Sequence, residues 1–149
     1  MKNDPLKMAD CSQACKGPAL QLPLFLTGVQ AGFPSPADDY IEKRLDLNEL
    51  VIQHPTATFF VRVVGDSMNG ANMHSGDILV VDRSIEPSNG RVIVAVINGE
   101  FTVKRMTVKE QKIILIPENP AYPSIPITPE CDFQVWGVVT YVIHKLCTY

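Results

Sequence analysis

"RVIVAVINGEFTVKRM", residues 91–106, decides the fold. Two runs of β-branched and apolar residues flank Asn98-Gly99, a pair that readily supplies the positive φ angles of a two-residue hairpin turn. A turn of that length sets the register. Ile97 faces Glu100, Ala95 faces Thr102 and Ile93 faces Lys104. Side chains alternate along a strand, so Thr102 and Lys104 share one face with Ile93, Ala95 and Ile97. The opposite face carries valines, Phe101 and Arg105. A hairpin that is apolar on both faces belongs at the centre of a sheet.

Outward from the hairpin the chain reads as further strands. "TFFVRVVG" (58–65), "GDILVVDR" (76–83), "KIILIP" (112–117) and "FQVWGVVTYVIH" (133–144) are β-branched or aromatic runs. Turn clusters at 87–90 and 117–126 separate them. The expected fold is mainly β, a small curved domain of about six or seven strands. Asp46, with Glu49 three residues later, has the pattern of a capping box and predicts a short helical turn. Residues 1–36 carry Pro5, Pro18, Pro23, Pro34 and Pro36 and no sustained period. They read as a mobile, extended arm rather than a packed element.

The chain has 149 residues, enough for one domain with a true core, and 46% of them are hydrophobic. Net charge is −3, with no block of like charge. That argues against direct binding of nucleic acid or of an anionic membrane, although a partner could itself sit on DNA. Cys11 and Cys15 form a C-x3-C pair; Cys131 and Cys147 stand apart. His54, His74 and His144 do not lie at ligand spacing from one another, so reduced thiols and ordinary histidines are expected, with no metal and no cofactor. "ALQLPLFLTGVQA" has the outline of a secretory leader, with Lys2, Lys7 and Lys16 ahead of it. Asp4, Asp10, Gln21 and Pro23 oppose that reading, and no run is long enough to span a bilayer.

"GDSMNG" (65–70) places Ser67 in a glycine-flanked turn after a strand. Alone this is weak, because turns favour Gly, Asp and Ser for local reasons. Lys104 strengthens it. On an apolar face the lysine either snorkels to solvent at a sheet edge or is desolvated. Desolvation disfavours the ammonium, and half-neutrality at pH 7 costs about 4.6 kcal/mol, within what burial can supply. A neutral lysine can take the proton of a serine hydroxyl. Thr102 on the same face could orient it. His74 lies near Ser67 in sequence, but nothing marks a carboxylate placed to orient it. A second stretch, "TGVQAGFPSP" (27–36), is small, smooth and closed by prolines. It is either a linker or a place where the chain is cut.

The sequence resembles the UmuD family of self-cleaving SOS mutagenesis proteins and, more distantly, the self-cleaving domain of LexA-type repressors. The resemblance runs from about Pro23 to His144 and rests on "QAGFPSPADDY", "LDLNEL", "QHPTATFFVRVVGDSM", "SGDILVVDRS", "GEFTVKR", "LIPENPAY" and "WGVVTYVIH". It implies a LexA/UmuD-like serine peptidase acting on itself, with Ser67 as nucleophile and Lys104 as general base. Ala31-Gly32 would be the bond cut, separating an arm (1–31) from the self-cleaving domain (32–149). Backbone amides around Ser67 would hold the oxyanion, and the small pair would fit a narrow cleft. The resemblance further implies a cytoplasmic protein and a trigger, the RecA filament on single-stranded DNA. The trimmed homodimer would then join a UmuC-like Y-family polymerase. UmuD of the enteric type has Cys before the scissile glycine. Ala-Gly is the pair of LexA. The first twenty or so residues, with both early cysteines, follow no family pattern. Two alternatives stand beside this reading. The regulatory half of a LexA-like or phage repressor is opposed by an arm too short and proline-rich for a helix-turn-helix. A signal-peptidase-like Ser-Lys protease acting on other chains would need an anchor or a cleft free of its own arm.

Overall fold

The computed structural model describes residues 11–13, 17–25, 31–32 and 41–147. In chain order these form β1 (Cys11–Gln13), β2 (Gln21–Phe25), β3 (Ile41–Asp46), α1 (Leu47–Val51) and β4 (Thr58–Arg62). A 3-10 turn (Asn69–Ala71), β5 (Ile78–Asp82), β6 (Val92–Ile97) and β7 (Glu100–Lys109) follow. The chain then forms β8 (Lys112–Ile116), β9 (Ile125–Pro126) and β10 (Phe133–Ile143). Eight strands make one antiparallel sheet in the order β1-β4-β5-β10-β6-β7-β8-β9, and β2 and β3 form a separate two-stranded ribbon. The protein is mainly β, as expected.

The β6–β7 hairpin has the expected register: Ile97 opposite Glu100, Ala95 opposite Thr102 and Ile93 opposite Lys104. Asn98 and Gly99 both take positive φ, 50° and 85°, as a type I′ turn requires. A second turn of the same kind joins β7 to β8 through Glu110 and Gln111, at φ 48° and 62°. Neither residue is a usual carrier of that conformation, so the β7–β8 connection gives no turn signal in the sequence.

The hairpin is central and both its faces are covered. Val94 and Val103 pack with Val61, Met68, Leu79 and Val81 on one side. Ile93 and Ala95 pack with Met106, Leu115 and Val138 on the other. β10 lies between β5 and β6 and changes register twice, between Val135 and Gly137 and between Val139 and Tyr141. Each irregularity bends the strand. Gly137 is needed at the first, because a Cβ there would stand 2.6 Å from Val81 Cγ1. Trp136 meets Phe59 and Phe101 edge-on, with ring centroids at 5.3 and 5.8 Å.

The expectation of an arm without packed elements needs correction. β1 pairs with β4, Cys11 opposite Val61, and β2 pairs with β3 from Gln21–Asp46 to Phe25–Ile41. Pro23 concealed β2. It lies in a two-stranded ribbon, where the loss of one backbone donor is tolerated. The helical turn formed as expected. Asp46 Oδ1 accepts from Asn48 N at 2.8 Å, capping α1, and its Oδ2 accepts from Leu20 N at 3.0 Å. Among the described residues no helix is long and apolar enough to cross a membrane.

Candidate active site

The turn carrying Ser67 is held from below and from one side. Gly65, at φ 92°, redirects the chain after β4. Met68, 3% exposed, anchors the turn in the core. The segment after β8 braces it laterally. Gly70 N donates to the Glu118 carbonyl at 2.7 Å, and Asn119 Nδ2 donates to the Asp66 carbonyl at 2.9 Å. Tyr122 Oη donates to Asp66 Oδ1. Glu118 is in turn ion-paired with Arg105, the neighbour of Lys104 on β7. The brace therefore links the Ser67 turn to the lysine strand. In the sequence "PENPAYP" reads only as a turn cluster; its polar residues gave no sign of the strand or loop they would meet.

Lys104 is 7% exposed. Its Nζ donates to Ser67 Oγ at 2.9 Å, to Thr102 Oγ1 at 3.0 Å and to the Val103 carbonyl at 2.9 Å. None of these partners is anionic. Burial therefore acts unopposed and pushes the Lys104 pKa below its ordinary value of 10.5. Snorkelling to solvent does not occur. Ser67 and Lys104 line an open cavity of about 600 Å³ with Val63, Met73, Thr102 and Tyr122 among its walls. A serine hydroxyl in hydrogen-bond contact with a desolvated amine, at the wall of a cavity, can act as a nucleophile with its own base.

Ala31 and Gly32 are not part of this arrangement. Both are exposed, and a Cβ at Gly32 would meet nothing within 4 Å. The expected seat of this pair in a narrow cleft against Ser67 is thus not what the structure has. The pair belongs to the segment joining β2 to β3 and lies outside the cavity lining.

The histidines are placed differently from their sequence reading. His74 does have a carboxylate neighbour, Asp77, but lies outside the cavity lining. His144 joins the same carboxylate, with Nδ1 2.6 Å from Asp77 Oδ1. His54 Nδ1 stands 2.5 Å from Asp82 Oδ2, while Ser84 Oγ donates to Asp82 Oδ1 at 2.6 Å. Serine and histidine there share one carboxylate and are not aligned as nucleophile and base. Cys15 lies outside the described residues. Cys131 and Cys147 are free thiols.

Residues 23–140 match the peptidase S24-like family. Protein SamA of Salmonella typhimurium is 53% identical over 123 residues, covering 83% of this chain and 85% of its own. Protein MucA of Escherichia coli is 43% identical over 129 residues, 85% of this chain and 88% of its own. The LexA repressor of Paracidovorax citrulli is 36% identical over 126 residues, 85% of this chain but only 55% of the repressor.

Proposed function

The chain belongs to the peptidase S24-like family, and from that premise we propose that it is a self-processing subunit of an error-prone polymerase, cutting its own Ala31-Gly32 bond with a Ser67-Lys104 dyad. The observation that carries this reading is the 2.9 Å contact between Lys104 Nζ and Ser67 Oγ with the amine buried.

Neutral Lys104 takes the proton of Ser67 Oγ as the oxygen attacks the Ala31 carbonyl carbon. Backbone amides of the braced turn hold the resulting oxyanion. Collapse breaks the Ala31–Gly32 bond, and the Lys104 ammonium returns its proton to the departing Gly32 nitrogen. Water, deprotonated by the lysine, then hydrolyses the ester between Ser67 and Ala31. Thr102 keeps the amine aimed at Ser67 through both steps. Because Ala31-Gly32 is exposed and outside the cavity, reaction requires this pair of residues, from the same chain or from a second copy in a homodimer, to enter the cavity. Stabilising that docked state is the role assigned to the RecA filament on single-stranded DNA. The trimmed homodimer then serves a UmuC-like Y-family polymerase during SOS mutagenesis. The protein reaches DNA through these partners, in keeping with its net charge of −3.

The test is the intact mass and N-terminus of the purified protein after incubation with RecA, single-stranded DNA and nucleotide. A product beginning at Gly32 is expected from the parent and none from Ser67→Ala or Lys104→Ala. A different terminus, or cleavage that survives Ser67→Ala, refutes the dyad. In cells supplied with the matching polymerase, a chain starting at Gly32 should restore ultraviolet mutagenesis even with Ser67→Ala. If it does not while the pre-trimmed parent does, the dyad acts on another chain, as a signal-peptidase-like enzyme would.

A further inference from the structure

A second site stands apart from the serine cavity. His74 and Asp77 belong to the turn entering β5, and His144 follows the last residue of β10. The pairing of β10 with β5 ends at Ile143 opposite Ile78, which sets His144 beside Asp77. Residues 67 positions apart in sequence are thereby brought into contact. That separation is why histidine spacing along the chain gave no metal signal.

The carboxylate is the fixed part. Asp77 is 4% exposed, and its Oδ2 accepts from His74 N at 2.8 Å while its own N–H donates to the His74 carbonyl at 3.0 Å. Gly76, at φ 98°, gives the turn this shape. The imidazoles are the adjustable part, each about half exposed. His144 Nδ1 lies 2.6 Å from Oδ1 and His74 Nδ1 lies 3.8 Å from Oδ2. The rings are tilted by 52° with centroids 5.3 Å apart, and one donor atom from each of the three residues falls within 4.8 Å of the others.

We propose that His74, Asp77 and His144 form a binding site for a borderline divalent cation of the zinc type. Two imidazoles and one carboxylate suit such an ion, and a water completes its coordination on the exposed side. Bonds of about 2.0–2.1 Å in a tetrahedron place ligand atoms roughly 3.3 Å apart. His144 Nδ1 stands 2.6 Å from Oδ1, His74 Nδ1 stands 3.8 Å from Oδ2, and one donor atom from each residue lies within 4.8 Å of the others, so the set must contract to reach that value. The two half-exposed rings are the parts that rotate inward onto the ion while the buried Asp77 stays in place. The hydrogen bond between His144 Nδ1 and Oδ1 gives way when the ion enters, because an imidazole nitrogen must be free of its proton to ligate. A bound ion would staple the end of β10 to the start of β5, just beyond the last residue pair of these two neighbouring strands.

The test uses the full chain, titrated with Zn²⁺ by calorimetry and with Co²⁺ by visible absorption. One equivalent is expected to bind with nitrogen–oxygen ligand-field bands and no thiolate charge-transfer band, and Zn²⁺ should raise the melting temperature. His74→Ala and His144→Ala, both at half-exposed positions, should each weaken binding about tenfold or more and abolish the thermal shift. Cys147→Ser, which removes the exposed thiol nearest His144 in sequence, should change nothing. The proposal is overturned by the absence of saturable binding, by binding that survives either histidine variant, or by a thiolate band lost in Cys147→Ser.

Discussion

Gly70→Ala probes whether the segment after β8 really sets the position of Ser67. Gly70 does not need a positive φ; it is excluded from bearing a side chain by contact alone. A Cβ would stand 2.5 Å from the Glu118 carbonyl oxygen, and ordinary contact begins at 3.4 Å, so the two must separate by about 0.9 Å. The obstacle is backbone, which cannot swing aside as a side-chain tip would. The same movement stretches the 2.7 Å hydrogen bond from Gly70 N to that oxygen beyond bonding range. Overpacking of this kind costs about 1–3 kcal/mol, and the broken bond adds about 1 kcal/mol. The displacement also reaches the chemistry, because Ser67 precedes Gly70 by one turn. A misplacement on the order of 1 Å can cost about a hundredfold in rate. Urea unfolding at pH 7 should show a loss of roughly 2–4 kcal/mol. The first-order rate of conversion to the Gly32 product, followed by intact mass, should fall by about one to two orders of magnitude. Gly17→Ala, where a Cβ meets nothing within 4 Å, is the control. Parental stability and cleavage in Gly70→Ala would refute the bracing role of Glu118.

Cleavage without RecA should accelerate as pH rises above 7 and level off before 10.5, since only neutral Lys104 accepts the serine proton and burial lowers its pKa. A flat profile would dismiss Lys104 as the base. Between that lowered value and 10.5 the folded protein binds fewer protons than the unfolded chain, so stability should rise with pH there. Lys104→Met should lack this rise and be inactive, yet be at least as stable as the parent in urea at pH 7. Burial raises the Asp82 pKa, but hydrogen bonds from Ser84 and His54 outweigh it and leave the value below 3.8. The stability Asp82 contributes is thus fully present above 3.8 and lost as pH falls through the lower folded-state value. Asp82→Asn should cost roughly 1–3 kcal/mol at pH 7 and show a shallower acid limb; an unchanged limb by circular dichroism would contradict this. Gly137→Ala drives a Cβ to within 2.6 Å of Val81 Cγ1 and should lower stability by about 1–3 kcal/mol, an expectation that an unshifted urea midpoint would defeat.

What could be read from the sequence was local. Asn98-Gly99 determined the β6–β7 register, and the register placed Thr102 beside Lys104 on a covered face. Asp46 announced α1 through its side-chain chemistry. What escaped reading depended on distant partners or on atypical residues. Glu110-Gln111 makes a tight turn without glycine or asparagine. The bulges of β10 follow from its packing on β5 and β6. Pro23 argued against a strand that exists because its ribbon has only two members. The brace of Asp66 by Asn119 and Tyr122, and the meeting of His74, Asp77 and His144, are products of strand pairing between segments far apart in the chain.

The proposed cut at Ala31-Gly32 would break none of the described strand pairs, so release of the arm has to follow from something other than lost pairing. β1 stays opposite β4 and β2 stays opposite β3, because the bond lies in the segment between β2 and β3. What changes is covalent connection. Before cleavage the arm is held at an effective concentration on the order of millimolar; afterwards it must bind as a separate peptide. Among the described residues its apolar side chains are largely exposed, with Leu20 at 64%, Leu22 at 56% and Leu24 at 37%, and add little to that binding. Its backbone bonds are worth about 0.5–1.5 kcal/mol each, against an ordering cost of about 1–2 kcal/mol per residue. An isolated two-stranded ribbon is at best marginal in water. The severed arm should therefore leave on dilution, exposing the β4 edge and β3 to a partner. Gel filtration of fully cleaved protein at low micromolar concentration should separate residues 1–31 from residues 32–149. Co-elution of the two fragments at that concentration would show that cleavage and release are distinct steps, and that something beyond the cut must pull the arm away.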